Sequence, residues 1–148
     1  MWAMKLKFTV ETDPAPDRAR LISDPLADFN ESQAGDRKIK SFALFARDPS
    51  GVVLGGLLGS THWNHFFVSA LFVRESFRKA GIGRELMDRA EALALAHACD
   101  AIFLDTFDFQ APGFYKKLGL EVFGVLPDYP PGHKRFYMVK QLAPADLK

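Results

Sequence analysis

Leu71-Phe72-Val73-Arg74-Glu75-Ser76-Phe77-Arg78-Lys79-Ala80-Gly81-Ile82-Gly83-Arg84-Glu85-Leu86 is the stretch on which the fold turns. A run of apolar residues ends in a basic, glycine-bearing turn, and a helix begins where the turn stops. The first amides of a helix have no intrahelical partner, and the helix dipole adds partial positive charge there. That combination is an anion site. Glycine at 81 and 83 lets the backbone come within hydrogen-bonding distance of a phosphate. Arg78, Lys79 and Arg84 surround it with positive charge, so a phosphorylated small molecule is the expected ligand. A basic helix cap with a tight turn is the competing reading. Spacing excludes two other phosphate motifs. A P-loop requires Lys and then Ser or Thr after its second glycine, but Arg84-Glu85 follows Gly83. A dinucleotide fingerprint requires a third glycine where Leu86 stands.

The period of the apolar residues changes at this turn. After it, Ile82, Leu86, Met87, Ala90, Leu93, Ala94 and His97 recur at helical spacing, opposite Arg84, Glu85, Asp88, Arg89 and Glu91. This predicts a helix from Gly81 to Ala98, with Glu85 and Arg89 ordered as an i,i+4 pair. Before the turn, three strands are expected: Ile39 to Arg47, Val52 to Thr61, and Phe66 to Val73. Asp48-Pro49-Ser50-Gly51 fits a type I turn at each position between the first two, and His62-Trp63-Asn64-His65 joins the next pair. Gly55, Gly56 and Gly59 weaken the middle strand unless something approaches it closely. Further upstream, Leu6 to Glu11 reads as an opening strand, Asp17 to Asn30 as one helix or two, and Glu31 to Lys38 as a loop. Downstream, Ala101 to Thr106 is a strand and Ala111 to Leu118 a short helix ended by Gly119. Leu120 to Leu126 and Lys134 to Lys140 are two final strands. The third strand, long helix and next strand form a βαβ crossover, which requires one parallel pair in an otherwise antiparallel sheet. The class is α/β (α+β), with a mixed, mostly antiparallel sheet flanked by helices.

The chain has 148 residues, the size of one domain, and no linker, repeat or low-complexity tract divides it. Nineteen Lys and Arg against eighteen Asp and Glu leave a net charge of +1. Proteins of nucleic acid or anionic membrane carry a clear basic excess, so neither partner is expected. Cys99 is the single cysteine, which excludes an intramolecular disulfide and a multi-cysteine zinc site, and no metal is expected. Met1-Trp2-Ala3-Met4-Lys5-Leu6-Lys7 has no long apolar region behind its basic residues. It does not read as a signal peptide, and the cytoplasm is the expected compartment.

The segment Arg78-Lys79-Ala80-Gly81-Ile82-Gly83, after Leu71-Phe72-Val73, resembles the central motif of the GCN5-related N-acetyltransferase (GNAT) superfamily, Gln/Arg-x-x-Gly-x-Gly/Ala. Ala111-Pro112-Gly113-Phe114-Tyr115-Lys116-Lys117-Leu118-Gly119-Leu120 is similar to the family's Ala-x-x-x-Tyr-x-Lys-x-Gly-Phe helix. Residues 71 to 120 carry the specific motifs. The resemblance implies a single N-acetyltransferase domain over residues 1–148, with acetyl-CoA as co-substrate. It further implies that the strand of Leu71 to Val73 splays from that of Ile102 to Thr106, with pantetheine between them. Backbone groups of Phe72 and Val73 would bond pantetheine, and an amide near Leu71 would polarise the acetyl carbonyl as an oxyanion hole. Amides from Lys79 to Arg84, including Ala80 and Ile82, would take the pyrophosphate. Phe114, Tyr115 and Lys117 would border the cofactor. Two positions depart from the family: Glu75 stands where Pro is frequent, and Asp108 replaces an Asn that would bond the cofactor.

Acetyl transfer needs an uncharged amine, stabilisation of the oxyanion and a proton for the leaving thiolate. By resemblance Tyr115 donates that proton. Asp105, at the end of an apolar strand, is a candidate base, or else it caps the following turn or binds a backbone amide; the base can also be water. Gln110 caps the next helix or faces the acceptor. The expected activity is transfer of an acetyl group to a primary amine of a small molecule or peptide. The alternative is a non-catalytic acyl-CoA-binding regulatory module on the same fold. Acceptor choice is expected from Asp17 to Gln33 and Pro127 to His133. The resemblance also implies a homodimer, in keeping with the Phe and Leu residues of the final strands, where an exposed edge would need cover.

Overall fold

The computed structural model describes residues 4–142, so Met1-Trp2-Ala3 of the segment read as no signal peptide lies outside the described residues. The chain divides into two compact units, Met1–Arg37 and Lys38–Lys148.

In the first unit, α1 runs over Pro16–Ala34 as one continuous helix. Pro16 occupies its first turn, where a missing N–H costs nothing, and Pro25 is carried inside it. The helix reaches four residues past Asn30, and Gly35 ends it at φ 83° by donating its N–H to the Glu31 carbonyl. The predicted loop is thus shortened to its last residues. The predicted strand at Leu6 to Glu11 is not formed: the segment is irregular and Leu6, Phe8 and Val10 are exposed. Alternating apolar residues satisfy the strand pattern, but a strand exists only when a neighbour completes its hydrogen bonds. None pairs with it among the described residues.

The second unit is a six-stranded mixed sheet with two helices. In chain order the elements are β1 (Lys40–Arg47), β2 (Val53–His62), β3 (His65–Val73), α2 (Ile82–Ala96), β4 (Ala101–Phe107), α3 (Pro112–Lys117), β5 (Glu121–Pro127) and β6 (Lys134–Gln141). A single turn of 3-10 helix, Glu75–Phe77, leads into the glycine turn. The spatial order is β1-β2-β3-β4-β6-β5. All neighbours are antiparallel except β3 and β4, which the crossover through α2 makes parallel. Gly51 donates to the Asp48 carbonyl at 2.9 Å, closing the first hairpin as its four residues predict.

The core lies between α2 and the sheet. Leu86, Met87, Ala90 and Ala94 of the helix are buried against Leu57, Phe66, Ile102, Leu104 and Met138. The close approach that the glycines of β2 required is found at Gly59, where an added Cβ would stand 2.4 Å from the Phe66 ring. Phe66 is completely buried, so the ring occupies the space a side chain at 59 would need. No helix among the described residues is long and apolar enough to cross a membrane.

Candidate active site

The central feature of the second unit is a strand pair that comes apart. β3 and β4 are paired from His65↔Ala101 to Val68↔Leu104 and then part, although both strands continue. The cause is local. On its other side β3 pairs Val68 with Gly59 and Ala70 with Leu58, so Ser69 is an extra residue with no partner. Such a bulge bends the strand that carries it and increases its twist. β4 has no such irregularity, and its pairing to β6 runs unbroken as far as Phe107↔Arg135. A bulged strand bending away from a regularly paired neighbour opens a cleft. Alternate backbone groups of β3 beyond the bulge, bonded on one side to β2, face that opening on the other.

The cleft holds about 990 Å³. Leu71, Phe72 and Val73 line it from β3, and Leu104, Asp105, Thr106 and Phe107 from β4. Arg78, Lys79, Gly81, Gly83 and Arg84 contribute the basic turn, and Phe114 and Tyr115 the face of α3. Of the residues expected at the site, Ala80, Ile82, Asp108 and Lys117 are not among its lining. Lys117 is exposed in the last turn of α3.

The two glycines of the turn have different reasons. Gly81 is at φ 86°, ψ 3°, a left-handed conformation immediately before α2, and a Cβ there would have nothing within 4 Å. Its need is conformational, and the space beside it is open. Gly83 has an ordinary backbone, but a Cβ would lie 3.2 Å from Phe114 Cζ, so its missing side chain admits the α3 ring. Lys79 is also left-handed, at φ 67°. A non-glycine residue held in this conformation costs on the order of 1 kcal/mol and tends to mark functional sites. Arg78 folds back, with Nε donating to the Val73 carbonyl at 2.9 Å and the guanidinium 5.8 Å from the Phe72 ring centre.

Tyr115 is buried in the core cluster yet lines the cleft. Burial raises its phenol above the ordinary value of 10.0. No protein group hydrogen-bonds its hydroxyl among the described residues, and the hydroxyl is not sealed off either. It is therefore protonated at neutral pH and free to donate into the cleft.

Asp105 has a partner thirty positions away. Arg135 Nε and Nη2 donate to the same carboxylate oxygen, Oδ1, at 3.0 and 2.6 Å. The carboxylate in turn holds the Arg135 guanidinium above its ordinary value. Arg135 Nη1 also reaches the Tyr129 hydroxyl at 3.1 Å. Asp108 is committed elsewhere: its oxygens lie 2.9 Å from His133 Nδ1 and from the Lys134 amide. Burial acts upward on Asp108, but those bonds outweigh it and hold the carboxyl below its usual range. Gln110 does not cap α3, whose cap residue is Ala111. Its Oε1 accepts from the Phe107 amide at 2.8 Å and from Thr106 Oγ1 at 3.0 Å, which ties down the end of β4.

Arg135, Thr106, Phe107 and the Ser69 bulge were not identified from sequence. Only Arg135 had a signal there, as a cation next to Phe136 and Tyr137 in a strand that also carries Lys134 and Lys140. Among the described residues, no group of three or more His, Cys, Asp or Glu is placed to hold a metal ion.

Comparison with known proteins agrees with this geometry. The model of the acetyltransferase (GNAT) family matches residues 7–120. A blasticidin-S acetyltransferase of Streptomyces morookaense is 39% identical over 107 residues, covering 72% of this chain and 79% of the relative. An acetyltransferase of Agrobacterium fabrum is 26% identical over 136 residues, covering 92% and 99%. The crystal structure of an acetyltransferase from Bacillus cereus superposes with a TM-score of 0.83 at 31% identity, covering 90% of this chain and 98% of that one. With the family model matching residues 7–120 and the splayed parallel pair and the glycine turn in place, the chain belongs to the GNAT family and is an N-acetyltransferase.

Proposed function

We propose that the enzyme moves the acetyl group of acetyl-CoA to a primary amine of a small molecule. The observation that carries this reading is the parting of β3 and β4 beyond Val68↔Leu104, with a basic turn and a buried tyrosine on the same cleft. Two open strand edges suit an extended chain bearing amide groups, which is the chemistry of pantetheine. The open space beside Gly81, the first amides of α2 and the side chains of Arg78, Lys79 and Arg84 suit a pyrophosphate. Acetyl-CoA would supply an activated acyl group. The backbone amide near Leu71 would polarise its carbonyl, and Tyr115 would give its proton to the departing sulfur. Tyr115 favours turnover over a purely regulatory binding role, because a phenol with no hydrogen-bond partner among the described residues makes no structural bond there.

The acceptor class is supported by the blasticidin-S acetyltransferase at 39% identity, whose name points to an antibiotic substrate. A homodimer through β5 is supported by the exposure of Val122, Phe123, Val125 and Leu126 on this edge strand. Calorimetric titration with acetyl-CoA, followed by thiol release in the presence of an amine and antibiotic panel, tests the assignment. Stoichiometric binding with amine-dependent thiol release is expected. Absence of acetyl-CoA binding by the folded protein would overturn it.

A further inference from the structure

We propose that Asp105 and the parallel rings of Phe107 and Phe109 form the acceptor subsite, built for a primary amine tethered to a planar unsaturated ring. The proposal rests on the assignment of the cleft to acetyl-CoA and concerns the part of it that the basic turn does not occupy.

Asp105 and Phe107 stand two apart on β4 and so share one face of the strand. Both line the cleft, as does Phe109. Arg135 places both of its contacts on Asp105 Oδ1, and Oδ2 receives no hydrogen bond from the described residues. The arginine is itself fixed, by the Tyr129 hydroxyl and by the rings of Phe107, Tyr129 and Tyr137 at 5.2 to 5.6 Å. The carboxylate is therefore held in one orientation with one oxygen spare. A charge-assisted bond to an ammonium or amine N–H is the natural use of such an oxygen.

The rings beside it are arranged flat. Phe107 and Phe109 stack at 5.2 Å with 5° between their planes, and Phe107 and Tyr129 at 5.7 Å with 14°. His133 meets Phe109 edge-on at 5.0 Å. Phe109 is nonetheless 57% exposed. A near-parallel set of rings with an open member offers a ligand an aromatic face, which a planar ring matches and a puckered saturated ring does not. The same faces attract cationic charge, in keeping with an amine held at Asp105.

The test compares 2-phenylethylamine with 2-cyclohexylethylamine, which share chain length and amine and differ in planarity, as acceptors with acetyl-CoA. Coenzyme A affinity is measured by calorimetry for each protein. The phenyl compound should have a kcat/KM about tenfold higher or more, and Phe109→Leu should bring the two within about threefold while leaving coenzyme A affinity unchanged. Phe109→Tyr keeps the ring and should keep the preference. Asp105→Asn should raise KM for both amines alike. Equal use of the two amines by the native enzyme, no turnover of either, or an undiminished preference in folded Phe109→Leu would each overturn the subsite while leaving the coenzyme reading intact. Failure of coenzyme A to bind the native protein would sink both.

Discussion

Replacing Tyr115 by Phe removes one oxygen and leaves the ring in its packed position. Among the described residues nothing hydrogen-bonds that oxygen, so the change forfeits none of the roughly 1 kcal/mol that a typical bond contributes to stability. Tm and coenzyme A affinity should barely move. The rate should. A positioned acid contributes on the order of 10²–10⁴-fold, which corresponds to about 2.7–5.4 kcal/mol of transition-state stabilisation at about 1.36 kcal/mol per tenfold. Burial raises the phenol above 10.0, so at pH 7 less than about one molecule in a thousand has lost the proton. Any alkaline fall in kcat/KM that belongs to Tyr115 of the free enzyme therefore lies above pH 10. The same shift acts on stability: it favours the neutral phenol in the fold, so its contribution is complete below pH 10 and is lost as pH rises through the raised value. The assay is thiol release at saturating acetyl-CoA and amine, with single-turnover measurements to establish that chemistry limits the rate. A large fall in kcat with normal coenzyme A binding is expected. Full activity in the Phe variant with chemistry rate-limiting would refute the role and leave water or the acceptor's own ammonium as proton source. Joint loss of binding and activity would make Tyr115 structural.

Gly81→Val forces a β-branched residue into φ 86° and should weaken acetyl-CoA binding by at least about tenfold, about 1.4 kcal/mol, read by calorimetry beside a circular dichroism check of the fold. Gly83→Val should act differently, by pushing on Phe114, so its loss of affinity should come with a lower Tm. Arg78→Ala should weaken binding in low salt and matter progressively less as ionic strength rises, because the contact is exposed. Sedimentation at micromolar concentration should find a dimer; a species of 16.5 kDa alone would remove that proposal.

What the sequence determined by itself lay within a turn or two of chain. The glycine turn, the onset of α2, the Asp48 to Gly51 hairpin and the stop at Gly119 each follow from backbone preferences and side-chain periods that need no distant partner. The motif residues of β3, the turn and α3 were placed on one site by their resemblance to the GNAT superfamily; the βαβ crossover gave only the parallel pair. Other features depended on which segments met. Leu6 to Glu11 has a strand's pattern and no strand to bond. The bulge at Ser69 exists only through the register of β3 on β2, and it lies where β3 parts from β4. Gly83 carries the motif, yet its bare Cα is explained by the Phe114 ring, thirty-one positions on. Asp105 looked like a lone carboxylate until β6 laid Arg135 beside it, and the stacked rings of Phe107, Phe109 and Tyr129 come from two separate loops and a strand end. Hydrogen bonds, ion pairs and ring contacts act over a few ångströms of space, and only the completed sheet decides which residues come within that reach.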